Sequence, residues 1–116
     1  MAFTVDGSRT DRAVILTITG RVDAEAASEL ELACRQWLSP DDRNLVLDFS
    51  GLQYISSAGL GSVLAAGKEI DRRGGRLLIC ALPGRIKPIF VFTGIDSLFP
   101  LFENRNAALA DCAEKK

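Results

Sequence analysis

The side chains with chemical potential gather in one stretch, Asp48-Phe49-Ser50-Gly51-Leu52-Gln53-Tyr54-Ile55-Ser56-Ser57-Ala58-Gly59-Leu60-Gly61. Two adjacent hydroxyls, Ser56 and Ser57, stand between an apolar run and a helical pattern, with glycines close behind. Three chemistries use such a pattern, and each fails on a residue it needs. A nucleophile elbow requires Gly two residues on either side of the serine; Gly59 follows Ser57 correctly, but Ile55 precedes it. The chain also has no histidine, which removes imidazole bases, Ser-His-Asp and Cys-His triads, and zinc sites built on imidazole. A dinucleotide fingerprint could begin Gly59-x-Gly61, but Leu64 occupies the third position, where a small residue is needed. A P-loop ending at Gly67-Lys68 needs Gly at 62 and Ser or Thr at 69; the residues are Ser62 and Glu69.

A hydroxyl at a helix start on a surface loop remains. Serine is a favoured helix cap, so the pair also suits a purely structural role. A phosphate there adds close to two negative charges. Helix amides and the helix dipole can hold it with little backbone change. Such a modification acts on whatever docks against the loop.

The surrounding elements must present that hydroxyl. Phe3 to Ser8 and Ala13 to Thr19 alternate and predict a hairpin ended by Gly20. Residues 24–38 predict a helix with Ala27, Leu30, Cys34, Trp37 and Leu38 inward, capped by Asp23. Asn44 to Asp48 predicts a short buried strand, with Ser50 to Ser57 as a loop that Asp48 orders through backbone amides. Residues 58–73 predict a helix with Leu60, Val63, Leu64, Gly67 and Ile70 as its inner stripe, closed by Gly74-Gly75. Arg76 to Cys80 follows as a strand. Gly84 to Thr93 predicts a short helix with Ile86, Ile89 and Phe90 inward and Pro88 in its first turn. Leu98 to Phe102 predicts a last short strand, and residues 104–113 a terminal helix. This alternation predicts an α/β fold: a mixed, mainly parallel sheet of four to five strands starting with a hairpin, packed with about four helices. Partners of such sheets meet loops at the carboxyl ends of the strands.

At 116 residues and 47% hydrophobic, the chain predicts a single domain over residues 1–116 with an ordinary core. Fourteen basic and fifteen acidic residues give a net charge of −1, unlike the basic footprint of a nucleic-acid binder. Lys115 and Lys116 read as a solvated tail. Cys34, Cys80 and Cys112 are widely spaced and read as buried reduced thiols, with no metal and no cofactor implied. The N-terminus has no basic start or apolar run, so no signal peptide is predicted. The longest apolar stretch, Leu77 to Leu82, is too short to span a bilayer. A cytoplasmic domain with no membrane insertion and no direct nucleic-acid contact is expected.

The Asp48–Gly61 stretch resembles the signature of STAS-domain anti-sigma factor antagonists of bacteria. The Gly20-Arg21-Val22-Asp23 corner and the Gly74-Gly75-Arg76-Leu77 turn are similar to the family's too. The resemblance implies the STAS fold and a partner switch without enzymatic activity of its own. The unphosphorylated form would bind an anti-sigma factor that is also a serine kinase, freeing the sigma factor. Phosphorylation at Ser57 would break the complex, and a PP2C-type phosphatase would reset it. The docking surface would comprise Asp23, Ser56, Ser57, Ala58, Gly59 and Gly61. The family commonly has Asp, Ser, Ser or Thr, Gly where this chain has Ser56, Ser57, Ala58, Gly59. The acidic residue before the acceptor is absent, the hydroxyl after it is lost, and Ser56 is an alternative acceptor. A STAS subunit of a lipid-transport or other multiprotein complex, without a phosphate cycle, is the alternative reading.

Overall fold

A computed structural model describes residues 2–114; Lys115 and Lys116, read above as a tail, lie outside the described residues. Strands β1 (Thr4–Arg9) and β2 (Val14–Val22) form the expected hairpin. Then come α1 (Ala24–Trp37), β3 (Asn44–Ile55), α2 (Ser57–Arg72), β4 (Arg76–Cys80), α3 (Lys87–Phe92), a 3₁₀ turn at Ile95–Ser97, β5 (Leu101–Phe102) and α4 (Arg105–Glu114). The five strands lie in chain order, with β1 antiparallel to β2 and every later pair parallel. Parallel connections of one hand, all stepping in the same direction, place α1, α2 and α3 on one face. Their side chains share a core with Val14, Leu16 and Ile18 of β2. Helix α4 lies on the other face, over Ile15, Val46 and Leu78.

The expected loop from Ser50 to Ser57 is not a loop. Strand β3 continues to Ile55 and pairs with β2 as far as Val22, so β2 also outruns its expected end at Gly20. Two register shifts explain the misreading. Between Thr17 and Thr19, β2 advances two residues while β3 advances three, from Asp48 to Gly51. Between Gly20 and Arg21, β2 advances one while β3 goes from Leu52 to Tyr54. Each extra residue is a bulge that shifts the side-chain phase. The core-facing residues of β3 are therefore Leu45, Leu47, Phe49, Leu52 and Ile55, stepping by two and then by three. Strict alternation fails there, although the backbone stays in the sheet. Gly20 does not end β2 but carries it through the second shift at φ +96°, where an added Cβ would lie 2.0 Å from the carbonyl oxygen of Ala2.

Two later elements are shorter than expected: α3 spans Lys87–Phe92 rather than Gly84 to Thr93, and β5 spans Leu101–Phe102 rather than Leu98 to Phe102, because β4 offers it pairing only at Ile79 and Cys80. Helix α1 ends one residue before the expected Leu38, and β4 matches its expected span. At the end of α2, the Gly74 and Gly75 amides donate to Asp71 and Ile70 carbonyls at 2.9 Å each. Trp37 is half-buried, its indole lying over Gly7 of β1. In α3, Pro88 occupies the first turn as expected. Ile86 and Phe90 are buried, Phe90 against Phe49 with ring centroids 5.7 Å apart. Ile89, expected inward, is 37% exposed. A six-residue helix presents barely more than one turn to the sheet, and Phe90 fills it.

Candidate functional site

The long β2–β3 ladder ends where Val22 pairs with Ile55, and both strands turn into helices there. The Ser56 amide donates to the Val22 carbonyl at 2.9 Å, so the chain entering α2 is pinned beside the residue that precedes Asp23. Two caps thus stand side by side at the carboxyl ends of neighbouring strands. The Asp23 carboxylate accepts from the Ala26 amide at 2.9 Å. The Ser56 hydroxyl accepts from the Gly59 amide at 3.0 Å. Each satisfies one amide that the first helical turn leaves without an internal acceptor.

The two serines therefore differ. Ser56, half-buried, is the cap. Ser57 is the first helical residue, one position earlier than the expected start, and is exposed. Ala58 and Gly61 are exposed on the same first turns, whereas Gly59 is buried. A Cβ on Gly59 would lie 2.6 Å from Ile55 Cγ1 and 2.9 Å from Val22 Cγ1. Only that glycine lets the helix approach the strand ends; Gly61 faces open space, with no described atom within 4 Å of an added Cβ. The outer surface of this turn is thus small, neutral and nearly flat, with no acidic residue in the first turn of α2.

Asp23, Ser56, Ser57, Ala58, Gly59 and Gly61 are brought together, Gly59 as the packing contact underneath. Asp48 is not at this site. It lies within β3, nearly buried, and its Oδ1 accepts from the Ser50 amide at 2.9 Å, the local ordering expected of it. Its Oδ2 accepts from Arg105 Nε at 3.0 Å, and Arg105 Nη2 also donates to Thr17 Oγ1 at 2.6 Å. Sequence reasoning missed Arg105, because a buried carboxylate calls for a cation without saying which one. It also missed Arg21, whose guanidinium stacks 4.3 Å above the Tyr54 ring near the strand ends. That pairing is legible only once β2 and β3 are extended.

Because Ser56 and Asp23 each satisfy a helix amide and Ser57 does not, Ser56→Ala and Asp23→Ala are each expected to lower unfolding free energy by about 1 kcal/mol, and Ser57→Ala to change it by less than about 0.5 kcal/mol. Urea titration of the three variants checks this ranking.

All three cysteines are buried and unpaired by disulfides. Burial pushes the Cys34 and Cys80 thiols up from 9.0 to about 12, and raises Cys112 as well. A thiol whose folded pKa exceeds its unfolded one stabilises the fold fully below the unfolded value. That contribution is lost as pH rises through the folded value. Stability is thus expected to fall from about pH 9 toward 12, by about 1.4 kcal/mol per pH unit for each such thiol. Denaturant unfolding at several pH values shows it, and a Cys34→Ala, Cys80→Ala double variant flattens the slope. Among the described residues no three of Cys, Asp and Glu gather as a metal site requires, and no helix is long and apolar enough to cross a membrane.

Comparison with known proteins adds the family context. The model of the STAS domain matches residues 5–108. A protein of Bordetella bronchiseptica named "Putative anti-sigma factor antagonist BtrV" is 34% identical over 95% of this chain and 93% of its own length. The crystal structure of an anti-sigma factor antagonist from Mycobacterium paratuberculosis superposes with a TM-score of 0.87 at 23% identity, covering 97% of this chain and 95% of that one. The Bacillus cell fate determinant SpoIIAA in its phosphorylated form gives 0.71 at 18% identity, covering 95% and 98%. These two likenesses establish the shared fold.

Proposed function

This chain belongs to the STAS domain family, and from that premise we propose that it is an anti-sigma factor antagonist switched by phosphorylation of Ser57. The observation that carries the reading is the inequality of the two serines. The Ser56 hydroxyl is held in the cap of α2, and the Ser57 hydroxyl is exposed at its first position. Support also comes from the Bordetella relative, named for anti-sigma antagonism, and from the SpoIIAA structure in a phosphorylated form.

In the unmodified state the turn formed by Ser57, Ala58 and Gly61 is a neutral surface that an anti-sigma factor with serine kinase activity covers, releasing its sigma factor. Asp23 flanks this surface. The kinase transfers the γ-phosphoryl group of ATP to Ser57 Oγ; the bond from the γ-phosphorus to the β–γ bridging oxygen breaks, and ADP and the hydroxyl proton leave. The dianion then sits over the amides of the first turn of α2, where the helix dipole favours negative charge. The fold thus tolerates the phosphate while the interface does not. Burying an unpaired charge costs several kcal/mol. A PP2C-type phosphatase restores the hydroxyl. The chain performs no catalysis itself and works in the cytoplasm with its partners. Incubation with the anti-sigma kinase and ATP, followed by peptide mapping, is expected to place one phosphate on Ser57 and none on the Ser57→Ala protein. Phosphate on Ser56 alone moves the acceptor by one residue; no phosphate on either favours the subunit of a multiprotein complex instead.

A further inference from the structure

Helix α4 covers a second core on the face opposite α1–α3. Ala13, Ile15, Val46, Leu78 and Cys80 line that face, none more than 5% exposed. The helix itself inserts few apolar side chains among them. Among its described residues Ala108 and Cys112 are buried, with Leu109 partly so. Helix α1 inserts Leu30 with Ala26, Ala27 and Cys34, and α2 inserts Val63, Ala66 and Ile70. Hydrophobic stabilisation scales with apolar area, so α4 is the most weakly held of the three long helices.

The rest of its grip is ionic and lies at its two ends. Arg105, its first residue, bonds Asp48 and Thr17. Asp111, in its last turns, pairs with Arg76 at 2.7 Å. Both pairs are only partly shielded: the Arg105 side chain is 39% exposed above the buried Asp48, and the Asp111 side chain is 24% exposed although its Oδ2 is buried. Arg76 Nη1 is buried without a hydrogen-bond partner, so part of the desolvation at the second pair goes uncompensated. Released from the sheet, a ten-residue helix does not persist in water.

We propose that α4 is a detachable cover, which leaves the sheet as a unit while the α1–α3 face stays folded and so bares the apolar surface of Ile15, Val46 and Leu78. The chain carries its own reporters. Cys80 lies under this cover, Cys112 lies on the cover's inner side, and Cys34 lies in the other core. Buried thiols with raised pKa react only through opening, so labelling rates read local release. The inference is independent of the phosphorylation reading.

Labelling of the intact protein with N-ethylmaleimide at pH 8, resolved by peptide mass spectrometry, tests it. Cys80 and Cys112 are expected to react at least about tenfold faster than Cys34. Asp111→Asn should speed both by up to about fivefold, as loss of a part-exposed ion pair allows, and leave Cys34 unchanged. Equal rates at all three cysteines overturn the proposal, because they report global unfolding alone. Equal acceleration of Cys34 and Cys80 by the substitution also overturns it. Should that variant not fold, amide exchange in the parent decides: exchange over 105–114 faster than in α2 upholds the cover, and matched rates reject it.

Discussion

Ser57→Asp is expected to lower affinity for the proposed anti-sigma partner by about a hundredfold, while the protein melts close to the parent temperature. The magnitude follows from placing a charge where a docked protein excludes water; a loss of about 3 kcal/mol is a factor of about a hundred in Kd. The unchanged stability follows from position. Ser57 makes no cap bond and is exposed at the first residue of α2, where a carboxylate suits the helix dipole. Ser57→Ala keeps parental affinity, because the methyl group alters neither charge nor the cap. Titration calorimetry with the three proteins gives the ranking. A Ser57→Asp protein that binds as tightly as the parent removes the electrostatic switch.

The second large effect belongs to the glycines behind the serine, and the pair Gly59 and Gly61 behave oppositely. Gly59→Ala is expected to cost about 2–3 kcal/mol of stability. Its new Cβ would crowd two buried side chains, Ile55 and Val22, and also lie 3.0 Å from the Val22 carbonyl oxygen. Backbone at the end of a paired strand has little room to yield, so α2 must move outward. Ser57 moves with it, and partner affinity falls in the same variant. Gly61→Ala meets nothing within 4 Å among the described atoms, and it replaces glycine inside a helix. It should raise stability by about 0.5–1 kcal/mol. Thermal and urea unfolding separate the two; a loss on Gly61→Ala as large as on Gly59→Ala contradicts the packing described.

Much of this arrangement was legible in the sequence because local chemistry and tertiary structure agree. Asp23 lies just before a helical run and accepts from Ala26, as a cap should. Leu30 and Cys34 are buried from α1 at the spacing that predicted them. The serine pair ahead of small residues marked a helix start, and the start lies there, one residue early. The illegible parts depend on distant partners. Ser50, Gly51 and Gln53 have loop-like chemistry, yet β3 runs through them because β2 pairs alongside and two bulges absorb the broken alternation. Arg105 reaches Asp48 across 57 positions of sequence, a pairing that no local pattern encodes. Ile89 fits the inward stripe of α3 by spacing but loses its place to Phe90, since one helical turn fills the available space. The geometry of the candidate site was readable because it rests on short-range features, a cap, an exposed hydroxyl and a close-packed glycine.

The most direct measurement compares one protein in two states: the chain phosphorylated to completion at Ser57, and the same sample after phosphatase treatment, each titrated into the anti-sigma kinase. Tight binding only after phosphate removal, with both samples unfolding at nearly the same denaturant concentration, is the predicted result. Equal affinity in the two states, or a phosphorylated sample that has lost its fold, contradicts the account.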